Sequence, residues 1–147
     1  MTNTDLERAL IGTWSLVGWY NEADDGSRIY PLGDTATGYI SYSSDGFVFV
    51  HMMAADRSPF SVNDPFGGST DETAAAFNSQ ITYAGRYTCE ESRVIHQVTQ
   101  ASCPNWIGST QVRNVEFTNT GLRLSAAGAV FQGQSVTAYV DWKRAHR

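Results

Sequence analysis

Hydrophobic and polar residues alternate along most of this chain, in short runs separated by turn residues. From Gly12 onward the period is two, the signature of strands with one face buried and the other in water. Such runs fall at residues 12–20, 36–43, 47–53, 81–89, 93–101, 109–118, 121–127 and 134–144. Asp45-Gly46 and Asn119-Thr120-Gly121 supply residues that tolerate positive φ, so hairpin turns are predicted there, with a weaker signal at Glu90-Glu91-Ser92. Asn21 to Thr35, with Asp24-Asp25-Gly26 and Pro31-Leu32-Gly33, reads as a long loop.

Two helices accompany the strands. Thr4-Asp5-Leu6-Glu7 has the spacing of a capping box, and Leu6, Ala9 and Leu10 then form an apolar stripe, which predicts a short N-terminal helix stopped at Gly12. Ser69-Thr70-Asp71-Glu72 is a second capping box, ahead of Ala74-Ala75-Ala76-Phe77, and predicts a short helix within the insertion 54–80. An insertion that long in a compact domain usually covers or shapes a site, so it is a lid candidate. Helices do not alternate with the strands, which argues against a doubly wound α/β fold. The predicted class is all-β: an eight-stranded antiparallel up-and-down barrel, a single domain over residues 1–147, with an N-terminal helix to plug one end or lie along the wall.

Composition narrows the partners. A chain of 147 residues with 41% hydrophobic content can bury a core. Its net charge of −5, with no basic stripe, argues against a nucleic acid. The N-terminus carries no charged-then-apolar leader, and no apolar run reaches the ~18 residues a membrane helix needs, so a cytoplasmic protein without membrane contact is expected. Cys89 and Cys103 read as separate thiols. Three His give no zinc spacing, and neither a Gly-rich phosphate loop nor a Gly-x-Ser-x-Gly elbow is present, so no metal and no cofactor is expected.

Several local patterns recur in a familiar order: Leu10-Ile11-Gly12-Thr13-Trp14-Ser15-Leu16-Val17, Thr37-Gly38-Tyr39-Ile40-Ser41-Tyr42, Tyr83-Ala84-Gly85-Arg86-Tyr87, His96, Pro104-Asn105-Trp106-Ile107-Gly108-Ser109 with Gln111 and Arg113, Leu122-Arg123-Leu124, and Trp142-Lys143-Arg144. In that order they resemble the bacterial and fungal lipocalin-like domain family, over nearly the whole chain except the lid region and the last few residues. The resemblance implies an eight-stranded barrel in which Trp14 packs across one end and Arg144 stacks on it. It also implies a setting among natural-product biosynthesis genes, with related barrels ranging from carriers to cyclases, isomerases and decarboxylases.

Alternation suggests the lining. If Trp14 faces inward, Leu16, Gly18 and Tyr20 share its face. The strand 47–53 is apolar on both sides, leaving open whether Phe49 and His51 point in. The interior then carries Tyr42, Tyr83, Tyr87, His96, Gln111 and Arg113 among apolar neighbours, the make-up of a small-molecule pocket. His96, between Val94 and Val98, is a candidate acid or base. Arg113 could hold a carboxylate or enolate by two parallel hydrogen bonds, and Tyr87 or Tyr83 could donate to an oxyanion. The candidate catalytic residues are therefore His96, Arg113 and Tyr87. Tyr20, Tyr42, Phe49, His51, Tyr83, Trp106 and Gln111 are candidate ligand contacts, with Trp106 on the loop at the barrel mouth.

The expected function is to bind a small hydrophobic molecule and convert it, as a cyclase, isomerase or lyase of secondary metabolism, since confinement alone accelerates such reactions. The alternatives are a non-catalytic carrier and a haem-binding barrel with His96 or His51 as axial ligand. An apolar outer patch could also pair two copies as a homodimer.

Overall fold

Neighbouring strands of the sheet pair antiparallel in a meander, and the last returns to the first. The computed structural model describes every residue except Gln132. In chain order the elements are α1 (Asn3–Leu10), β1 (Gly12–Ala23), β2 (Arg28–Ile29), β3 (Thr37–Tyr42), β4 (Phe47–Met53), α2 (Thr70–Asn78), β5 (Gln80–Glu90), β6 (Arg93–Ala101), β7 (Thr110–Phe117), β8 (Leu122–Phe131) and β9 (Gln134–Arg144). The sheet runs β2-β1-β3-β4-β5-β6-β7-β8-β9, and β9 pairs back onto β1 from Trp14↔Arg144 to Ala23↔Val136. With the two-residue β2 hung on the end of β1, the remaining eight strands close the barrel.

Two sequence expectations shift. Residues 21–23 continue β1 and pair with β2 around the Asp24-Asp25-Gly26 turn, so the predicted loop begins with a small hairpin. The cap of α1 also lies two residues earlier than predicted. Thr2 Oγ1 accepts from the Asp5 amide at 3.0 Å and the Asp5 carboxylate accepts from the Thr2 amide at 3.1 Å, so Asp does the work expected of Glu7. The Ser69–Glu72 box of α2 forms as predicted.

Helix α1 plugs one end of the barrel with Leu6 and Leu10, which join the core. The Trp14 indole donates to the Leu10 carbonyl at 2.9 Å. Above the same indole, at 3.8 Å from its ring centroid, lies the Arg144 guanidinium. It also donates to the Ala9 and Ile11 carbonyls, each at 2.8 Å, satisfying groups that the end of α1 leaves unpaired. Gly12 is required at this junction: its φ is +120°, and an added Cβ would sit 2.7 Å from the guanidinium. Leu16, Tyr42, Val48, Tyr87, Val94 and Leu122 fill the rest of this half as solid core.

The other half is shaped by bulges. Leu16 pairs with Trp142 and Gly18 with Asp141, so Val17 is an extra residue that reverses the facing of everything after it in β1. Similar slips fall between Ala84 and Gly85 on the β5–β6 pair and between Ala126 and Ala129 on β8–β9, where Gly128 has φ +73°. The first of these turns Gln100 to the outside, away from the face that Val94, His96 and Val98 share.

The insertion 54–79 leaves the barrel at the open end, opposite α1. Arg57 ties it together, donating to Ser79 Oγ and the Ala76 carbonyl at 3.0 Å each, while Glu72 accepts from the Ser61 amide at 2.8 Å. Helix α2 buries no residue. Among the described residues no helix is long and apolar enough to cross a membrane.

Candidate ligand-binding site

Where the bulges widen the barrel, its open half encloses a cavity of about 600 Å³. That volume is typical of small-molecule pockets. Its wall is mostly apolar: Trp19, Ile40, Val50, Met52, Leu124, Val140 and Trp142, with small residues Ala126 to Ala129 near the rim. Tyr83 and Trp106 meet edge to face in the same wall, ring centroids 5.6 Å apart. The insertion 54–79, a lid candidate from the sequence, contributes no described residue to this wall; it is tied to itself by Arg57 and Glu72 and lies against β5 through α2.

Beneath the cavity lies the most buried polar cluster of the molecule. His96 has no exposed surface. Its Nε2 is 2.8 Å from the Tyr42 hydroxyl and its Nδ1 is 2.8 Å from the Tyr83 hydroxyl. Burial, reinforced by the nearby Arg113 charge, depresses the imidazole to a pKa of about 3 from 6.5, so the ring is neutral at physiological pH. Burial likewise pushes the Tyr83 hydroxyl up to about 12 and Tyr42 well above its ordinary value. This network holds protons firmly and does not trade them near neutrality.

Arg113 is the only charged side chain on the cavity wall among the described residues. Its Nη2 donates to Gln111 Oε1 at 2.8 Å and its Nη1 to the Val112 carbonyl at 3.0 Å, and no described carboxylate pairs with it. A second polar feature is the indole of Trp142. The residue is 3% exposed, it lines the cavity, and among the described residues its Nε1 is the one buried side-chain nitrogen or oxygen that lacks a hydrogen-bond partner. A buried donor left unpaired costs about 1–3 kcal/mol.

Of the residues singled out from the sequence, Tyr83, Trp106, Gln111 and Arg113 line the cavity. His96 and Tyr42 lie under its floor and reach it through Tyr83. The remaining four are elsewhere. Tyr87 sits in the solid half, its hydroxyl donating to the Ser43 carbonyl at 2.9 Å and its ring edge-on to Tyr42 at 4.9 Å. Tyr20 faces outward because of the Val17 bulge; it packs against Tyr30 and Tyr139 under Arg28, 4.3 Å above its ring. Phe49 and His51 are exposed on the outer surface, since Val48, Val50 and Met52 are the inward set of β4. With His51 outside and both nitrogens of His96 engaged by tyrosines, neither histidine is placed to serve as an axial haem ligand.

Alternation did not find Trp19, Asn21 or Trp142. The first two are brought inward by the bulge, for which Gly18 inside a strand pattern was the available signal. Asn21 is 5% exposed. Trp142 shares its face with Val136, Ala138 and Val140, an apolar set readable by period two once Trp14 is taken as inward.

The family model described as lipocalin-like domain matches residues 11–145. A protein of Aspergillus oryzae (strain ATCC 42149 / RIB 40), named 4'-hydroxy-3'-methoxypropiophenone carrier protein ppsC, is 34% identical over 89 residues, covering 54% of this chain and 80% of its own. Among solved structures, a lipocalin-like protein from Bacteroides uniformis ATCC 8492 aligns with TM-score 0.48 and 13% identity, over 92% of this chain and 98% of its own. An uncharacterized protein from Bacteroides eggerthii DSM 20697 aligns with TM-score 0.46 and 15% identity, over 91% and 98% respectively.

Proposed function

The chain belongs to the lipocalin-like domain family, and on that premise we propose that it is a carrier, enclosing a small, flat, oxygen-bearing aromatic molecule without converting it. The observation that carries this reading is the wall chemistry: aromatic and aliphatic side chains, a tyrosine and one guanidinium, with no carboxylate or imidazole on the wall among the described residues. Such a wall offers hydrogen-bond donors to ligand oxygens. It lacks an acid–base pair poised near neutral pH, because His96 is held neutral and Tyr83 is held protonated. The name of the Aspergillus oryzae relative supports an aryl ketone as the ligand class.

The test is a titration followed by recovery. Trp19, Trp106 and Trp142 all line the cavity, so added 4'-hydroxy-3'-methoxypropiophenone should quench or shift the tryptophan emission saturably. Mass spectrometry of the ligand recovered after prolonged incubation should then show it unchanged. A chemically altered ligand would restore the cyclase or isomerase reading; a lack of saturation would remove the aryl ketone.

A further inference from the structure

The Tyr42–His96–Tyr83 chain beneath the cavity has a direction. A neutral imidazole carries a single N–H, so one of the two tyrosines donates to the ring and the other accepts from it. Tyr42 is 1% exposed, is absent from the cavity wall, and its hydroxyl has His96 as its sole side-chain partner among the described residues. If Tyr42 accepted from Nε2, its own hydrogen would be buried with no acceptor, the costly arrangement for a hydroxyl. Tyr83 is under no such constraint, because it borders the cavity.

We infer that Tyr42 donates to Nε2, that the His96 Nδ1–H donates to Tyr83, and that the Tyr83 hydroxyl is thereby fixed as a one-way donor into the cavity. The ligand class that follows is one presenting a carbonyl oxygen at this spot, a stronger acceptor than an aryl ether or a phenol hydroxyl. This deepens the carrier reading and rests on it for the ligand, but the tautomer is a property of the free protein.

Two measurements on the intact protein decide the matter. In nitrogen-15 spectra of the histidine-labelled free protein, His96 Nδ1 should show the protonated, pyrrole-type shift and Nε2 the pyridine-type shift; the reverse assignment overturns the inference. In binding, 4'-hydroxy-3'-methoxypropiophenone should be preferred over 2-methoxy-4-propylphenol, its analogue without the carbonyl, by about ten- to a hundredfold, the range for a buried polar group left unpaired. Tyr83→Phe should abolish that preference, and Tyr42→Phe, which frees the ring to adopt either tautomer, should reduce it. Equal affinity for the two compounds, or a preference that survives in Tyr83→Phe, overturns the inference. If neither compound binds, the carrier reading fails, and the tautomer spectrum alone decides the direction of the chain. If the ketone is altered on recovery, the carrier reading fails while the discrimination remains measurable.

Discussion

Neutral, buried His96 makes the fold sensitive to acid in a way that can be worked out in advance. In the folded protein the imidazole takes up a proton only near pH 3, against 6.5 when free. Above pH 6.5 neither the folded nor the unfolded chain holds that proton, so the group is silent. As pH falls below 6.5 the unfolded chain binds the proton first, so stability drops, and the loss levels off once the folded state also protonates. Each pH unit inside this window costs about 1.4 kcal/mol. The contribution is therefore about 2 kcal/mol between pH 7 and 5 and approaches about 5 kcal/mol near pH 3, comparable with the whole stability of many domains. Urea denaturation at a series of pH values would measure it. His96→Gln provides the reference, because a carboxamide can accept from Tyr42 and donate to Tyr83 yet does not titrate. Carboxylates that also lose stability in acid, such as Asp5 and Glu72, are common to both proteins and cancel in the difference. The wild-type curve should fall more steeply than that of the variant below pH 6.5. Parallel curves from pH 7 to 4 would refute the neutral, buried imidazole, and with it the argument that this residue is not a base.

Two further substitutions separate the ends and faces of the barrel. Arg144→Ala removes a guanidinium that stacks on Trp14 and satisfies two carbonyls at the end of α1, and should lower stability by about 2 kcal/mol in urea unfolding, with Arg144→Lys restoring only part because an ammonium cannot fork between Ala9 and Ile11; a loss within the error of the measurement would show that the plug does not depend on it. Tyr20→Leu should destabilise the outer aromatic cluster yet leave aryl-ketone affinity within about twofold, since the Val17 bulge turns Tyr20 away from the cavity and surface contacts outside a site seldom couple to it; a large loss of affinity, with folding intact, would contradict the facing assigned here.

Strand positions and the closed topology were legible because period two survives wherever one face is buried. The β7 run, and β8 and β9 outside the Ala126–Ala129 slip, carry that pattern, and Asp45-Gly46 marks the turn between β3 and β4. Facing was legible only up to the first bulge. A single extra residue at Val17 inverts the parity of β1, so Tyr20 was read as inside and Trp19 as outside. On β4, Phe49 and His51 could not be separated from Val48 and Val50 by periodicity, because both faces are apolar; the outward face is set by which neighbours bring the barrel interior to it. His96 was found by its place between Val94 and Val98. What sequence could not supply is the pairing of its two nitrogens with hydroxyls 54 and 13 residues away in the chain, which turns a candidate base into a locked hydrogen-bond relay.

The division of the barrel into a solid half and a hollow half links these observations. Packing in the α1 half is continuous from Leu10 through Trp14 to Tyr42, so the floor beneath the cavity is supported from below and Tyr83 is held by His96 rather than by solvent. The same rigidity sets what the floor can do. A hydroxyl anchored by a neutral ring in a dry core cannot readily give up its proton, but it presents a fixed donor at little entropic cost when a ligand arrives. Reactions that need only confinement would tolerate such a floor, whereas proton transfer would require a group that titrates within the cavity. Arg113 is the single charged side chain there among the described residues. The two halves thus divide the work: the packed end supplies a pre-formed base, and the bulged end leaves the space above it.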